Sequence, residues 1–283
     1  MANKIDLHIH STASDGSDTI PELLDKIRKS GIHTFAVTDH DTIDGAMEMD
    51  QLDTEGLRYI RGIEFSCITP YAKCHILGYD FDPNDDVFQD ALVMGVRLRQ
   101  EKLHRRVAFL ESEYGIVLTE QEAKWLYSQK SPGKPHFGKI LADRGLATDL
   151  RAAISQYINP CKDGNDRIDA PVAIQAILHS GGIPVWAHPL GGEGERRLSR
   201  EEFLVQMQEL IRSGIRGLEC YYSRYSQEDI AFLVEQALQN NLLISGGSDY
   251  HGKNKSNLHL GKLNEDDIDV DQDCITLYKC YFE

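Results

Sequence analysis

Two histidines near the amino terminus, His8 and His10, have the spacing of paired metal ligands. They lie in a run in which isoleucine and leucine alternate with polar residues, and this period of two predicts a strand with both imidazoles on one face. The polar loop that follows contains Asp15, which could return a carboxylate towards them. Imidazole and carboxylate are ligands of divalent transition metals. An exposed His-x-His on an edge strand would give the same three residues. The rest of the chain must therefore distinguish a metal site from an exposed strand.

The same residue types recur where other predicted strands end. Six of about seven strand-like segments end in His, Asp or Glu. Because helical patterns alternate with these segments, we predict a mostly parallel sheet, whose carboxyl ends form the usual place for a site. The later strand-end residues are Asp39, His40, Asp41, Glu64, His75, His188, Asp249 and His251.

Between Asp85 and about Asp169 the strand pattern stops, and the sequence predicts helices instead. The predicted organisation is therefore a barrel-forming part, 1–85 and 170–283, with a helical insertion, 86–169, that acts as a substrate lid. Elsewhere we expect a first helix capped by Thr19 and stopped by Gly31, and a final strand from Cys274 to Phe282. The predicted helices of the insertion are Val87–Tyr114, Glu120–Tyr127, His136–Arg144 and Leu150–Tyr157.

The insertion is rich in basic residues. Those from Arg97 to Arg106 fit a solvated helix surface. Lys134, His136 and Arg144 flank a proline-containing turn and a helix start, where backbone N–H groups and cations together suit an anion.

Composition excludes several classes of function. The chain has 283 residues, 41% of them hydrophobic, and a formal charge of −15, which opposes general attraction to duplex nucleic acid or anionic membranes. Its six cysteines are scattered, so neither a zinc ribbon nor a disulfide framework is indicated, and we expect a cytoplasmic protein. No run of 18 apolar residues predicts a membrane span.

Taken together, these motifs resemble the polymerase and histidinol phosphatase (PHP) family of metal-dependent phosphoesterases. The resemblance implies a distorted (β/α)7 barrel of the α/β class with up to three metals at the carboxyl ends of the strands. The matching motifs are His8-x-His10, Thr38-Asp39-His40-Asp41, Gly62-Ile63-Glu64-Phe65-Ser66, His75, Ala187-His188-Pro189 and Gly247-Ser248-Asp249-Tyr250-His251. By position, the resemblance implies nine metal ligands: His8, His10, Asp15, His40, Glu64, His75, His188, Asp249 and His251.

Asp15 resembles one branch of the family, which acts on nucleoside 3',5'-bisphosphates and trims short RNA from its 5' end. That branch carries a similar insertion with an Arg-Pro-His-Phe-like motif, whereas this chain reads Lys134-Pro135-His136-Phe137. Lysine keeps the charge but loses the bidentate fork of arginine. The branch also often has a histidine near the position of Tyr225. Both differences concern the substrate.

Six imidazoles and three carboxylates exceed the ligands of one ion and suit two or three divalent metals, with Mn first and Fe or Zn as alternatives. Such ions would lower the pKa of water from 15.7 to about 7 for in-line attack on phosphorus. Asp15 or His188 would supply a proton to the leaving oxygen through bound water. The predicted substrate-binding residues are Lys134, His136, Arg144 and Arg224.

We therefore expect a phosphatase for a small phosphorylated metabolite, foremost a nucleoside 3',5'-bisphosphate, with possible trimming of short oligonucleotides and no obligatory protein partner. A histidinol-phosphate phosphatase is the closest alternative, and a metal-stabilised binding module without turnover is an alternative of another class. Four further histidines are predicted to lie outside the site, because we expect them in or beside helices and loops: His33, His104, His179 and His259.

Overall fold

A twisted sheet curls into a nearly closed barrel in the computed structural model, which describes residues 4–129, 131–162, 164, 166–192, 195–270 and 272–282. The strands within these ranges are β1 (Lys4–Ile9), β2 (Ile32–Val37), β3 (Arg58–Ile68), β4 (Lys73–Tyr79), β5 (Ile168–Asp169), β6 (Ile183–Ala187), β7 (Gly217–Tyr222) and β8 (Leu243–Gly247). The α-helices are α1 (Ile20–Ser30), α2 (Asp44–Met49), α3 (Asp86–Tyr114), α4 (Glu120–Tyr127), α5 (Lys134–Asp143), α6 (Leu150–Ala153), α7 (Ala170–His179), α8 (Arg200–Arg212), α9 (Gln227–Gln239) and α10 (Thr276–Phe282).

The strands follow the order β1-β2-β3-β4-β6-β7-β8, with the short β5 paired to β3. A bridge between Ile9 and Tyr250 joins the two outer strands' ends, where the His10 N–H donates to the Tyr250 carbonyl at 2.9 Å. The predicted distorted barrel is thus confirmed.

One strand departs from the predicted parallel arrangement. β4 runs antiparallel to both β3 and β6. A tight turn connects β3 to β4, closed by the Thr69 N–H donating to the Ala72 carbonyl at 2.9 Å. Because only antiparallel neighbours can be joined by so short a connection, the missing crossover helix explains the reversal.

The barrel's apolar side chains and the helices around it share one large core, in which Phe65, Trp186 and Leu218 are buried. Apolar packing of this kind supplies most of the free energy that holds the strands in place.

Capping residues set the ends of the first helix. The Thr19 N–H donates to Glu22 at 2.9 Å, and Gly31 ends α1 at φ 73°, as predicted.

The predicted helices of the insertion are present, with small shifts of their ends. α5 begins at Lys134 rather than His136, and the last helix continues as one π-helical turn, Ile154–Ile158. These helices share an apolar cluster separate from the barrel core, made of Leu103, Leu110, Leu126, Phe137, Ile140, Leu141, Ala153 and Ile158. The division into barrel and insertion remains a prediction that this separate cluster supports.

The predicted final strand from Cys274 to Phe282 is wrong, because the chain forms helix α10 there. Thr276 accepts the Ile244 N–H at 2.8 Å, and Ile275 and Leu277 are buried in the main core. A short apolar run does not distinguish a strand from a buried helix by its pattern alone. Among the described helices, none combines the length and apolar character needed to cross a bilayer.

Candidate metal centre and adjoining cavity

One end of the barrel collects all nine residues that the resemblance implied as ligands. His8 lies near the end of β1, His188 directly follows β6, and Asp249 and His251 follow β8. His75 lies near the start of β4, and the reversed direction of that strand brings it to the same edge. All nine side chains are buried.

Glu64 is the centre of this cluster. Its carboxylate is fully buried, and histidine ring nitrogens surround it on several sides. Both oxygens lie within 3.3 Å of imidazole nitrogens: Oε1 at 2.8 Å from His75 Nδ1 and 3.1 Å from His188 Nε2, and Oε2 at 2.9 Å from His40 Nδ1, 3.2 Å from His10 Nε2 and 3.3 Å from His8 Nε2. Such a carboxylate can bridge neighbouring metal ions.

Two aspartates complete the cluster on either side. Asp15 Oδ1 lies 3.2 Å from His251 Nε2 and 3.9 Å from His40 Nε2. Asp249 Oδ1 lies 3.3 Å from His10 Nε2. The carboxylates therefore alternate with imidazoles across the cluster.

The donor atoms fit divalent metal ions. Three groups have ligand atoms that all lie within 4.8 Å of one another: His10, Asp15, His40 and His251; His8, His10, Glu64 and Asp249; and His40, Glu64 and His75. Several of these buried atoms make no hydrogen bond within the described structure: His10 Nδ1, Asp15 Oδ1, His40 Nδ1, Glu64 Oε2, His75 Nε2 and His251 Nε2. Buried polar atoms are rarely left unsatisfied, so this concentration of nitrogen and oxygen donors without cysteine indicates metal binding.

The charges in the cluster also suit metal binding. Burial alone would raise the pKa of Glu64, but His40, His75 and His8 outweigh it and hold that pKa well below its ordinary value. Burial lowers the pKa of His40 to about 4. Burial alone would also lower the pKa of His10 and His188, but neighbouring carboxylates outweigh it and raise these values to about 9 and about 10. Glu64 and His40 thus favour the states that bind metals, whereas a metal ion would have to displace a proton from His10 and His188.

The backbone at the strand ends takes conformations that side chains seldom adopt. Asp41, His188 and Asp249 have φ of 52°, 27° and 55°. Residues other than glycine reach this left-handed region at a cost, and they concentrate at functional sites. The turns after β6 and β8 thus direct His188 and Asp249 into the cluster, whereas Asp41, after β2, accepts from Arg99 and from the Ser66 N–H at 2.8 Å.

Glu219, in the middle of β7, is a member of the site that the sequence did not predict. Its fully buried carboxylate lies 2.9 Å from His8 Nδ1 and accepts the His188 backbone N–H at 2.7 Å. A carboxylate on the outer nitrogen of an imidazole fixes the ring's orientation and tautomer for a metal on the other nitrogen. The available signal was a single glutamate in an otherwise apolar strand, LECYY.

The insertion touches the cluster through the turn before α5. Ser131 Oγ donates to the His40 carbonyl at 2.6 Å, and His136 Nδ1 accepts the Gly133 N–H at 3.0 Å. Burial lowers the pKa of His136, and Asp15 partly offsets that shift. Lys134 Nζ donates to Asn159 at 2.8 Å. This turn places Lys134 and His136 beside the barrel end.

Two predicted substrate-binding residues have contacts elsewhere. Arg144 pairs with Glu122 and donates to the Val117 carbonyl at 2.9 Å, all within the insertion. Arg224 donates to the Asn257 carbonyl. Tyr225, where a histidine was expected from the resemblance, is buried and accepts the Leu190 N–H at 2.7 Å. The structure does not bring these three side chains into the described cluster.

The four histidines predicted to lie outside the site are all elsewhere. His33 is at the amino end of β2, so it lies in a strand and not in a helix or loop, but at the opposite end from the cluster. His104 contacts Tyr127 within the insertion. His179, the last residue of α7, pairs with Asp85, the N-cap of α3, at 2.8 Å, and His259 pairs with Asp267 at 2.8 Å.

A cavity of about 520 Å³ adjoins the cluster at His188. Its walls come from the β3–β4 turn, the loop after β6 and the insertion, and they include Lys73, Lys134, Arg167, Glu195 and Arg196. A smaller space of about 40 Å³ lies within the cluster itself, lined in part by Glu195 and Lys255. The larger cavity lies in the size range of small-molecule sites.

A nearly closed α/β barrel with buried histidines and carboxylates at its strand ends defines the class of metal-dependent hydrolases. A family model, the PHP domain, matches residues 6–159, and the chain belongs to this family. The protein is therefore a PHP-family metal-dependent phosphoesterase, as the resemblance implied.

Three characterised bacterial relatives are similar over most of their length. The 3',5'-nucleoside bisphosphate phosphatase of Chromobacterium violaceum is 28% identical over 92% of this chain and 91% of its own. The phosphoribosyl 1,2-cyclic phosphate 1,2-diphosphodiesterase of Eggerthella lenta is 28% identical over 90% and 97%. The 5'-3' exoribonuclease Rnm of Escherichia coli is 28% identical over 87% and 84%.

A solved structure supports the fold. A Bifidobacterium adolescentis protein assigned as a metal-dependent phosphoesterase superposes with a TM-score of 0.81, is 27% identical and covers 94% of each chain.

Proposed function

We propose that this enzyme removes one phosphate from a small ribose-containing substrate that carries two phosphate groups, foremost the 3'-phosphate of a nucleoside 3',5'-bisphosphate. The observation that carries this proposal is the 520 Å³ cavity that opens from the cluster at His188 and has Lys73, Lys134 and Arg167 in its walls. The names of two relatives support it, because a nucleoside bisphosphate and a phosphoribosyl cyclic phosphate each contain two phosphate groups.

In this proposal the nine clustered residues would hold two or three metal ions, and the central Glu64 would contribute to more than one of these sites. When bound, such ions act as Lewis acids on a phosphate oxygen and lower the pKa of water to about 7. We propose Mn as the first ion to test, with Fe and Zn as the alternatives. The chain as a whole has a formal charge of −15, which would repel an anionic substrate. The positive charge that bound metal ions would add at the cluster would attract it instead.

The chain's own residues would orient the substrate and deliver a proton. His188 lies at the boundary of cluster and cavity, which suits it to orient a bound water that protonates the leaving oxygen. Asp15 lies close to Gly133, so it could orient such a water from the insertion's side. Lys134 and His136 would hold phosphate oxygens. Arg144 and Arg224 have no part in the proposal, because their described contacts lie elsewhere.

The 5' end of a short oligonucleotide is a related substrate, since it presents a ribose between two phosphate groups. The relatives named as exoribonucleases act on RNA in the 5' to 3' direction, which supports this activity for the same site. Duplex nucleic acid is not expected to bind, given the acidic surface.

The test is phosphate release by the Mn-loaded protein with three substrates: adenosine 3',5'-bisphosphate, histidinol phosphate and phosphoribosyl 1,2-cyclic phosphate. We expect the highest kcat/KM for the bisphosphate, with AMP as product. A higher kcat/KM for histidinol phosphate would contradict the proposal, because that substrate carries one phosphate and needs no second cationic position. Preference for the cyclic phosphate would keep two phosphate groups in the substrate but change the bond that is cleaved.

A further inference from the structure

Arg167 lies in the wall between the large cavity and helix α3, just before β5. It lines the 520 Å³ cavity on one side and a narrow cleft against α3 on the other. Its Nε and Nη1 atoms are buried, and neither has a hydrogen-bond partner among the residues that the structure describes. A guanidinium has five N–H donors, so these two are available to an acceptor, which none of the described residues supplies.

Basic side chains outnumber carboxylates in the cleft beside Arg167, which is lined by Arg99, Lys102 and Arg167 together with Asp41 and Asp166. Burial lowers the pKa of Lys102 well below its ordinary value, and the like charges of Arg167, Arg106 and Arg99 lower it further. The arginines are therefore close enough to oppose a further positive charge on Lys102.

Two carboxylates lie beside Arg167, and each is paired with another arginine. Asp41 accepts from Arg99, whose Nε lies at 2.9 Å, and Asp166 Oδ2 accepts from Arg105, while the buried Asp166 Oδ1 has no hydrogen bond among the described residues. Neither carboxylate has a hydrogen bond with Arg167 in the described structure. Burying a cation without an anion or acceptor is unfavourable, so an anion that reaches Arg167 gains from this arrangement.

The cavity connects this positive region to the metal cluster, because Arg167 and His188 both line it. We propose that Arg167 binds the phosphate group of the substrate that is not hydrolysed, while the other phosphate lies at the cluster. This inference rests on the proposed function and assigns its second phosphate to a residue. Arginine suits the role because its planar fork pairs with two phosphate oxygens at once, which Lys134 cannot do.

Arg196 offers a matched control. It also lines the cavity, but its exposed guanidinium already pairs with Glu202, at 2.9 and 3.0 Å. Replacing it removes one positive charge from the same wall without removing a buried donor that lacks a partner.

The experiment compares adenosine 3',5'-bisphosphate with adenosine 3'-monophosphate, which lacks the second phosphate, in wild type, R167Q, R167K and R196Q. For R167Q we expect KM for the bisphosphate to rise about 10- to 100-fold, as expected for loss of charge-assisted hydrogen bonds, with kcat nearly unchanged. The monophosphate should be hydrolysed as by wild type. R167K should recover part of the loss, and R196Q should match wild type with both substrates. Thermal unfolding and metal content establish that each variant is folded and loaded.

An equal loss with both substrates would overturn the inference, since Arg167 would then act on the fold or on the hydrolysed phosphate. Calorimetric binding of AMP, which carries only the 5'-phosphate, separates this inference from the proposed function. If wild type hydrolyses neither nucleotide, the proposed function fails. Weaker AMP binding by R167Q would then still support Arg167 as an anion site, and equal binding by both proteins would refute it.

Discussion

The barrel end and the helical insertion both contain many charged side chains, but they use them differently. At the barrel end, residues far apart in sequence face one another, and Glu64 alone contacts five histidines. In the insertion, most described ion pairs join two residues of the insertion itself, as Lys139 does with Asp143 at 2.8 Å and Arg144 with Glu122, whereas Arg99 pairs with Asp41 of the barrel. Charged side chains that pair within the insertion keep its surface solvated. Charged side chains that the fold brings together from distant parts of the sequence form the candidate site. The comparison predicts that substitutions at the barrel end affect chemistry and those in the insertion affect substrate binding.

The largest effect is expected from H40A. His40 belongs to two of the three donor groups, so its loss should lower metal content and reduce kcat/KM by about 10³-fold, equivalent to several kcal/mol of transition-state stabilisation. Metal analysis and phosphate-release kinetics measure both effects, and H259A, at an exposed histidine away from the cluster, is the control. Unfolding of H40A in circular dichroism would instead indicate a structural metal and favour the binding-module alternative.

Glu219 should have the next largest effect. E219Q keeps an acceptor but loses the charge that holds His8, so we expect metal affinity to fall about 10-fold, and about 100-fold for E219A. E219A should also lose about 1–3 kcal/mol in the free energy of unfolding, because it leaves the buried His188 N–H without its acceptor. Chelator competition and calorimetry measure these quantities. E209Q, on α8, is the matched control, and equal affinities for E219Q and E209Q would contradict the role.

A substitution in the apolar core of the insertion should show that the two regions have different roles. Phe137 is buried in the insertion's own apolar cluster, so F137A should cost about 3–5 kcal/mol of stability there. We expect KM to rise while metal content stays at the wild-type value. The partly exposed Phe109 on α3 gives a milder control, F109A. Loss of metal in F137A would show that the cluster depends on the insertion. It would contradict the assignment of metal binding to the barrel end and substrate binding to the insertion.

The smallest effect is expected from R144Q, which removes a local ion pair with Glu122. Such pairs contribute about 0–1 kcal/mol, so kcat/KM should change by less than about twofold. K134Q, at a lysine that lines the cavity, should raise KM several-fold more than R144Q does. Steady-state kinetics of the two variants side by side decide which cations meet the substrate.

The strand-end pattern predicted a mostly parallel sheet with a site at one edge, because the carboxyl ends of parallel strands meet there. The resemblance implied the barrel and the nine ligands, which the structure brings together at that edge. The same rule could not find Glu219, which lies within a strand rather than at its end. It also could not separate Lys134 from Arg144, since both are basic residues near one helix and only tertiary contacts show which faces the cavity.

Two elements show where local patterns stop being informative. The antiparallel β4 depends on a four-residue turn that the alternation of strands and helices does not reveal. The helix α10 is apolar because it packs on the core, and its short length leaves no clear period.

The barrel closes where the ends of β1 and β8 meet, and this closure has a consequence for biosynthesis. The hairpin of β3 and β4 unites Glu64 with His75, only 11 residues apart, and can do so early. Asp6, by contrast, accepts hydrogen bonds from Ser248, 242 residues further along the chain. At ribosomal rates of about 5–20 residues per second, the first strand, which can pair early with β2, waits roughly 10 to 50 s for β8 on its other side. During that time the nascent chain exposes His8 and His10 on an unpaired edge, and a chaperone or an early metal ion could bind there before the barrel closes.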